Sequence, residues 1–413
     1  MKISTLLFAV IIAASMTSCN DVPEDVRSRT EAKNQAISEA EKHLEERTGE
    51  IRYISPDKLE DDIKAALGQS YANFTVDPSV KISVPKEIVK CDFKQTDGFD
   101  SNADKLCERI FGKGSISDIE ESTHRSWNHE FNCCGFRNNE ERKHLSIWNN
   151  GFLCFMKPLL FEEMVNNGQR AAIYHVDRGD DLSAKYLLGE KEISVEDGVA
   201  AAQKWLDDNY ADLEPEYKIR IKTVIVRQDD NGAYAFEFTA DRLYNGIELD
   251  ELIDVIDTND THGRMIPMVY QKYRILMIMK SAGDIDYFTN LSGILAPEKK
   301  GTLEKVVSLK SALEYAERQF SDFQNPLTIN SIGLKYLISP QYDHEHEIPY
   351  NKENTVSTGH IVWEFILDVP MEQLKDGTGK PINEHLGDVR RYIYIDAETG
   401  EMEFNFSIPN LIQ

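Results

Sequence analysis

After its first fourteen residues the chain of 413 residues has no long hydrophobic run. The stretch from Tyr273 to Met279 is only seven residues long, far below the roughly 18 that a membrane-crossing helix needs, and it reads as a strand. Several chemical signatures are also missing. There is no Gly-x-Ser-x-Gly, no Gly-rich phosphate loop, no His-Glu-x-x-His and no Cys-x-x-Cys. Serine-hydrolase, nucleotide and zinc-protease chemistry therefore have no sequence foothold. Basic residues are scarce: 46 Lys and Arg stand against 71 Asp and Glu, a formal net charge of −25. Such a surface repels phosphate backbones and anionic headgroups, which argues against nucleic acid as a partner.

What is present begins with an export pattern. Lys2 gives a positive start, and Leu6 to Ala14 form an apolar run of signal-peptide length. Met16-Thr17-Ser18-Cys19 then resembles the bacterial lipobox, with Met16 where leucine is usual. The resemblance implies cleavage after residue 18 and a diacylglyceryl lipid on Cys19, a membrane anchor on the extracytoplasmic face. One acyl chain binds only marginally, whereas two hold durably. Residues 19–30, polar and including Pro23, read as a tether. Loss of residues 1–18 removes Lys2 and no acid, leaving about −26. Apolar residues at 41% are enough for real cores, so the remainder is expected to fold.

Internal similarity is the most informative feature. Ser194-Val-Glu-Asp-Gly-Val-Ala-Ala-Ala-Gln-Lys-Trp-Leu206 and Ser308-Leu-Lys-Ser-Ala-Leu-Glu-Tyr-Ala-Glu-Arg-Gln-Phe320 each place a serine as N-cap before an amphipathic helix. Val195, Val199, Ala202 and Leu206 share a face, as do Leu309, Leu313, Ala316 and Phe320. Strands follow: 217–226, then 233–238 after the Asp230-Asn-Gly232 turn. Phe236-Glu-Phe238 aligns with Trp363-Glu-Phe365. Arg274 to Met279, Gly283 and Asp284 to Phe288 align with Arg391 to Asp396, Gly400 and Glu401 to Asn405. A third, weaker copy has a helix over 101–111 and the strand, Gly151 turn and strand of 144–155. The expected fold class is α+β: tandem modules of one amphipathic helix packed on an antiparallel β-meander, behind a lipoprotein signal peptide. The boundaries are 31–185 for a Cys-containing α+β region, then modules at 190–295 and 303–413.

Tyr392-Ile-Tyr-Ile-Asp-Ala-Glu-Thr-Gly-Glu401 resembles the closing strand and turn of PepSY-type domains. Ile278 to Gly283 departs from that pattern, with Met279 and Ser281 in place of the acids. As a whole the chain resembles uncharacterised Gram-positive lipoproteins built on such modules. The resemblance implies extracytoplasmic binding or inhibition of a partner, not catalysis and no cofactor.

Other residues have competing readings. Cys91, Cys107, Cys133, Cys134 and Cys154 lie within 64 residues, among His124, His129 and His144. An odd count in an exported protein suggests one or two disulfides, whose pairing the sequence does not fix; a bridge from Cys91 to Cys107 would close a short loop, and metal ligation and buried thiols are the alternatives. His344 and His346 in Asp343-His-Glu-His-Glu347 point the same way on an extended backbone and could hold zinc. Pro340 and Pro349 flank them, so a solvated loop is the plainer reading. The acidic run Asp250 to Asp260 lacks EF-hand spacing. Ser55-Pro-Asp-Lys58 matches Ser-x-x-Lys without its companion motifs and reads as a helix start. Trp205 and Trp363 occupy repeat positions and are expected to pack in the core, whereas Trp127 and Trp148 could be surface platforms. The functions carried forward are an anchored lipoprotein that binds or regulates an envelope protein, a solute- or glycan-binding lipoprotein, and a hydrolase with a dispersed site.

Overall fold

A computed structural model describes residues 51–96, 99–112, 118–126, 129–138, 143–148, 153–157, 169–255, 269–273, 275–290, 294–319, 326–338, 356–369, 389–400 and 402–409. In chain order, β1 (Tyr53–Ile54) and a 3₁₀ turn over Pro56–Lys58 lead to α1 (Leu59–Leu67), β2 (Phe74–Val76) and β3 (Val89–Thr96). Then α2 (Phe99–Phe111) opens onto β4 (Asp118–Ser126), β5 (His129–Asn138), β6 (Lys143–Trp148) and β7 (Leu153–Met156). β8 (Gln169–His175) and the hairpin of β9 (Lys185–Leu188) and β10 (Lys191–Ser194) precede α3 (Val195–Asn209). β11 (Lys218–Gln228), β12 (Tyr234–Tyr244), β13 (Ile247–Val255), β14 (Val269–Tyr273), β15 (Ile275–Met279), β16 (Tyr287–Asn290) and β17 (Ile294–Thr302) follow. β18 (Val306–Val307), α4 (Leu309–Gln319), β19 (Leu327–Ile338), β20 (Val356–Val369), β21 (Val389–Asp396) and β22 (Met402–Pro409) complete the chain.

The architecture is α+β and dominated by sheet. One antiparallel stretch runs β4-β5-β6-β7-β16-β15-β12-β11-β8. A second runs β22-β21-β20-β19, and β3 joins β20 to β17. The two stretches meet where β13 pairs with β19 in parallel. These pairings cross each boundary drawn from sequence, and residues Arg52–Gln413 form one unit.

Local chemistry explains the helices. The Asp197 amide donates to Ser194 Oγ at 3.0 Å, and the Ser311 amide to Ser308 Oγ at 3.1 Å, so both serines are the N-caps that the sequence leads one to expect. At α4 the Leu309 amide also donates to Asp62 Oδ2 from α1, at 2.7 Å. α3 lies on β11, β12 and β15, α2 lies on β6, and α1 packs against α4. On α3 the buried positions are Val195, Gly198, Ala202 and Leu206. Gly198 faces the sheet because the Phe236 ring occupies the place of its side chain: a Cβ there would lie 2.7 Å from ring atoms. Trp363 is fully buried and donates from Nε1 to the Val307 carbonyl at 2.8 Å. Trp205 is half-buried, 5.1 Å from the Phe288 ring.

Two hairpins share one register. Phe236 pairs with Met279 and Phe238 with Met277; Trp363 pairs with Ile395 and Phe365 with Ile393. Matching Phe236 to Trp363 thus sets Met279 against Ile395, one residue away from the alignment read from sequence. Gly283 and Gly400 take φ of +86° and +77° in the following turns, as the tight hairpins require.

Gly198→Ala should lower the melting temperature although alanine is the better helix former. Relief of about 1 kcal/mol in helix propensity is outweighed by overpacking against Phe236, which costs about 1–3 kcal/mol. Thermal unfolding checks the sign, and an unchanged or higher midpoint would refute the contact.

Candidate functional site

The site grows from two irregularities in the strands. Between Ile221 and Thr223 the β11–β12 register slips, leaving Lys222 as the extra residue. Between Ile329 and Ser331 the β19–β20 register slips in the same way, leaving Asn330. Thr223 opposes Thr239 and Ser331 opposes Ile366, so both bulges fall at matching places in the shared register. A β-bulge re-aims the extra residue and bends its strand. Lys222 and Asn330 both line a cavity of about 240 Å³ at the β13–β19 seam.

A turn supplies the third wall. Asn245 and Gly246 take φ of +50° and +82° between the paired residues Tyr244 and Ile247. Two successive left-handed residues make the tight turn that Asn-Gly favours, and this sets Glu248 on β13 opposite Lys335 on β19. Segment 80–83 and the Asp177-Arg178 turn close the remaining sides.

The cavity floor is an ion network. Glu248 holds three bases: Lys335 in direct contact, Lys222 at 2.8 Å and Arg220 at 3.4 Å. Lys222 also reaches Asp241 at 2.9 Å, and Lys335 lies 3.8 Å from Glu364. The Tyr394 hydroxyl lies 2.9 Å from Glu364 Oε2 and 3.1 Å from Asp250 Oδ2, placing one phenol hydrogen between two carboxyl groups. Burial, with the like charge of Lys222 beside it, pushes Lys335 down to about 8. Burial drives Tyr394 well above the ordinary phenol range, and the carboxylates of Asp250 and Glu364 add to the rise. The pair Lys335–Glu364 has a counterpart in Arg227–Glu237 at 2.8 Å. Ile225 opposes Glu237 and Gly333 opposes Glu364, so the two pairs are the same diagonal across matching strands.

A separate polar network is closed off in the core. Arg242 donates from Nε to Glu214 at 2.8 Å, and the Tyr210 hydroxyl donates to the same carboxylate at 2.9 Å. All three residues are buried, so this network holds structure together and cannot meet a ligand.

The residues singled out from sequence lie elsewhere. Cys19, His344, His346 and Trp127 fall outside the described residues, as does the acidic run beyond Val255. Ser55 precedes the 3₁₀ turn, and its carbonyl accepts from the Lys58 amide at 2.9 Å, so it is a helix start. Cys91, Cys107 and Cys154 are buried as free thiols. They belong to different elements, Cys91 to β3, Cys107 to α2 and Cys154 to β7. Tyr244 and Tyr336 face Cys91, and Tyr287 faces Cys154. The side chains of Cys133, Cys134 and Trp148 are not among those described. Among the described residues no group of three or more His, Cys, Asp or Glu is placed to hold a metal ion.

No family model and no curated protein matches the chain. Among solved structures, an uncharacterized protein from Eubacterium rectale superposes with a TM-score of 0.51 at 13% identity, over 84% of this chain and 98% of that one. The chain shares that protein's fold. The Bacillus megaterium YpeB C-terminal domain matches with a TM-score of 0.29 at 12% identity, over 76% of this chain and 100% of that one, a likeness too slight to build on.

None of the cavity residues was singled out from sequence. One local signal was available: Asn245-Gly246 between two strand-like runs is a strong hairpin pattern, and it positions Glu248.

Two measurements test these assignments. Lys335 has a folded-state value below its unfolded one, so the unfolded chain holds more protons between about pH 8 and the ordinary lysine range. Stability should therefore rise with pH across that window, by up to about 1.4 kcal/mol per unit. Urea unfolding should show the rise in the wild type and not in Lys335→Arg, which keeps its proton; equal slopes would refute the burial of this amine. Thiol titration without reductant should find Cys91, Cys107 and Cys154 silent in the native protein, where burial also raises the Cys91 thiol. At least three thiols should react in denaturant; fewer would restore a disulfide.

Proposed function

We propose that the chain is a lipoprotein anchored on the extracytoplasmic face through Cys19, which binds or regulates an envelope partner without catalysing a reaction. Its tandem units are read as PepSY-like modules, one helix on a four-stranded antiparallel meander. The observation that supports the modular reading is the shared register, in which Lys222 matches Asn330 and Arg227–Glu237 matches Lys335–Glu364. The order α2-β4-β5-β6-β7 fits the same plan as a third copy, with α2 lying on β6. β4 and β8, at the ends of the long antiparallel stretch, have one strand neighbour each among the described residues. An edge of this kind can accept a strand from another protein.

A solute-binding reading is favoured by the seam cavity. At about 240 Å³ it lies below the roughly 300–1,000 Å³ of ordinary small-molecule sites, so it suits a ligand of a few heavy atoms better than a glycan.

Cys19→Ala should move the protein from the membrane fraction to the soluble one. Persistent membrane association after alkaline and high-salt washing would refute the anchor. Affinity capture of the anchored chain after cross-linking of intact cells should recover the same envelope protein reproducibly. Repeated capture of nothing would count against partner binding and leave the solute reading standing.

A further inference from the structure

We propose that the seam cavity binds one small oxyanion, a carboxylate or a phosphate, an inference that rests on the solute-binding reading. The charge distribution carries it. The chain has a formal net charge of −25, yet this cavity gathers five bases in its wall against two acids, Asp177 and Glu248. The further acids that meet its lysines, Asp241 and Glu364, are buried at 8% and 0% exposure. Depth separates the signs. Lys81 is exposed, Arg178 is half-buried and the Arg220 side chain is 40% exposed. Among the described residues neither Lys81 nor Arg178 forms an ion pair. Arg178 lies near enough to Asp77 to favour its ionised form, but an anion entering from solvent still meets Lys81 and Arg178 first, while Lys222 and Lys335 hold Glu248 at the floor. A cation would have to displace those same lysines from their carboxylates.

The site is also built rather than incidental. The two bulges fix Lys222 and Asn330 in its wall. Gly179, at φ +81°, leaves room for Lys81: a Cβ there would lie 3.1 Å from the Lys81 Nζ. A guanidinium such as that of Arg178 presents paired donors matched to a carboxylate or phosphate edge. Asp177 keeps one buried oxygen, Oδ1, without a hydrogen-bond partner, so a protonated or hydroxylated oxyanion could donate to it.

Isothermal titration of the detergent-solubilised full chain at low ionic strength, with inorganic phosphate and succinate as separate probes, tests the proposal. At least one probe should bind with a millimolar or tighter Kd, weakened by added sodium chloride. The affinity should fall tenfold or more in Lys81→Ala/Arg178→Ala, two positions outside the core. Which probe binds identifies the source of the oxyanion, phosphate or carboxylate. Absence of heat with both probes, or equal affinity in the double variant, would overturn the proposal. Tetramethylammonium chloride and glucose serve as controls. Binding of either control, lost in the same variant, would overturn the oxyanion assignment while keeping the solute-binding reading.

Discussion

The structure turns on the parallel pairing of β13 with β19, where Lys335 and Glu248 stand opposite each other. Two antiparallel stretches could each satisfy their own hydrogen bonds and remain separate. The parallel pair makes them one unit, and it does so by burying charge. Ionised groups leave water at a cost of several kcal/mol each, which is recovered only if every charge finds a well-placed partner. Glu248 serves Arg220, Lys222 and Lys335 at once, and Glu364 with Tyr394 completes the inner side. Removing one member leaves the others buried without compensation, so the network tolerates no partial version of the seam.

That constraint also explains where the cavity lies. Strands carrying bulges at matching places do not close on each other as flat strands would, and the bend leaves space lined by the displaced residues. The same bulge recurs in β11 and β19, and the pocket lies where the strands that carry these bulges meet at the seam. On β11 and β12 the equivalent cross-strand pair is Arg227 with Glu237, a local ion pair. On β19 and β20 the equivalent residue, Lys335, is drawn into contact with Glu248 of β13.

Much of the fold was legible from the chain. The serine caps of α3 and α4, the Asp230-Asn-Gly232 turn and the Gly283 and Gly400 turns are local features. Each depends on residues a few positions apart, so spacing suffices to find it. The alignment of Arg274 to Met279 with Arg391 to Asp396 was one residue off, because the register is set by pairing with β12 and β20, which the apolar pattern of a single strand does not encode. Cys91, Cys107 and Cys154 are buried as free thiols on two strands and a helix, a placement that their spacing along the chain does not reveal.

By itself the sequence determined the α+β class, the serine caps of two helices and the glycine turns. These follow from composition and periodicity, which act over a few turns or a few pleats. The seam, the buried lysine and the cavity were decided by tertiary structure alone. Lys222, Glu248, Lys335 and Glu364 come from four different strands and span more than a hundred residues. Nothing local distinguishes Lys335 from a surface lysine. Its character comes from the loss of water and from the charges that the parallel pairing places around it.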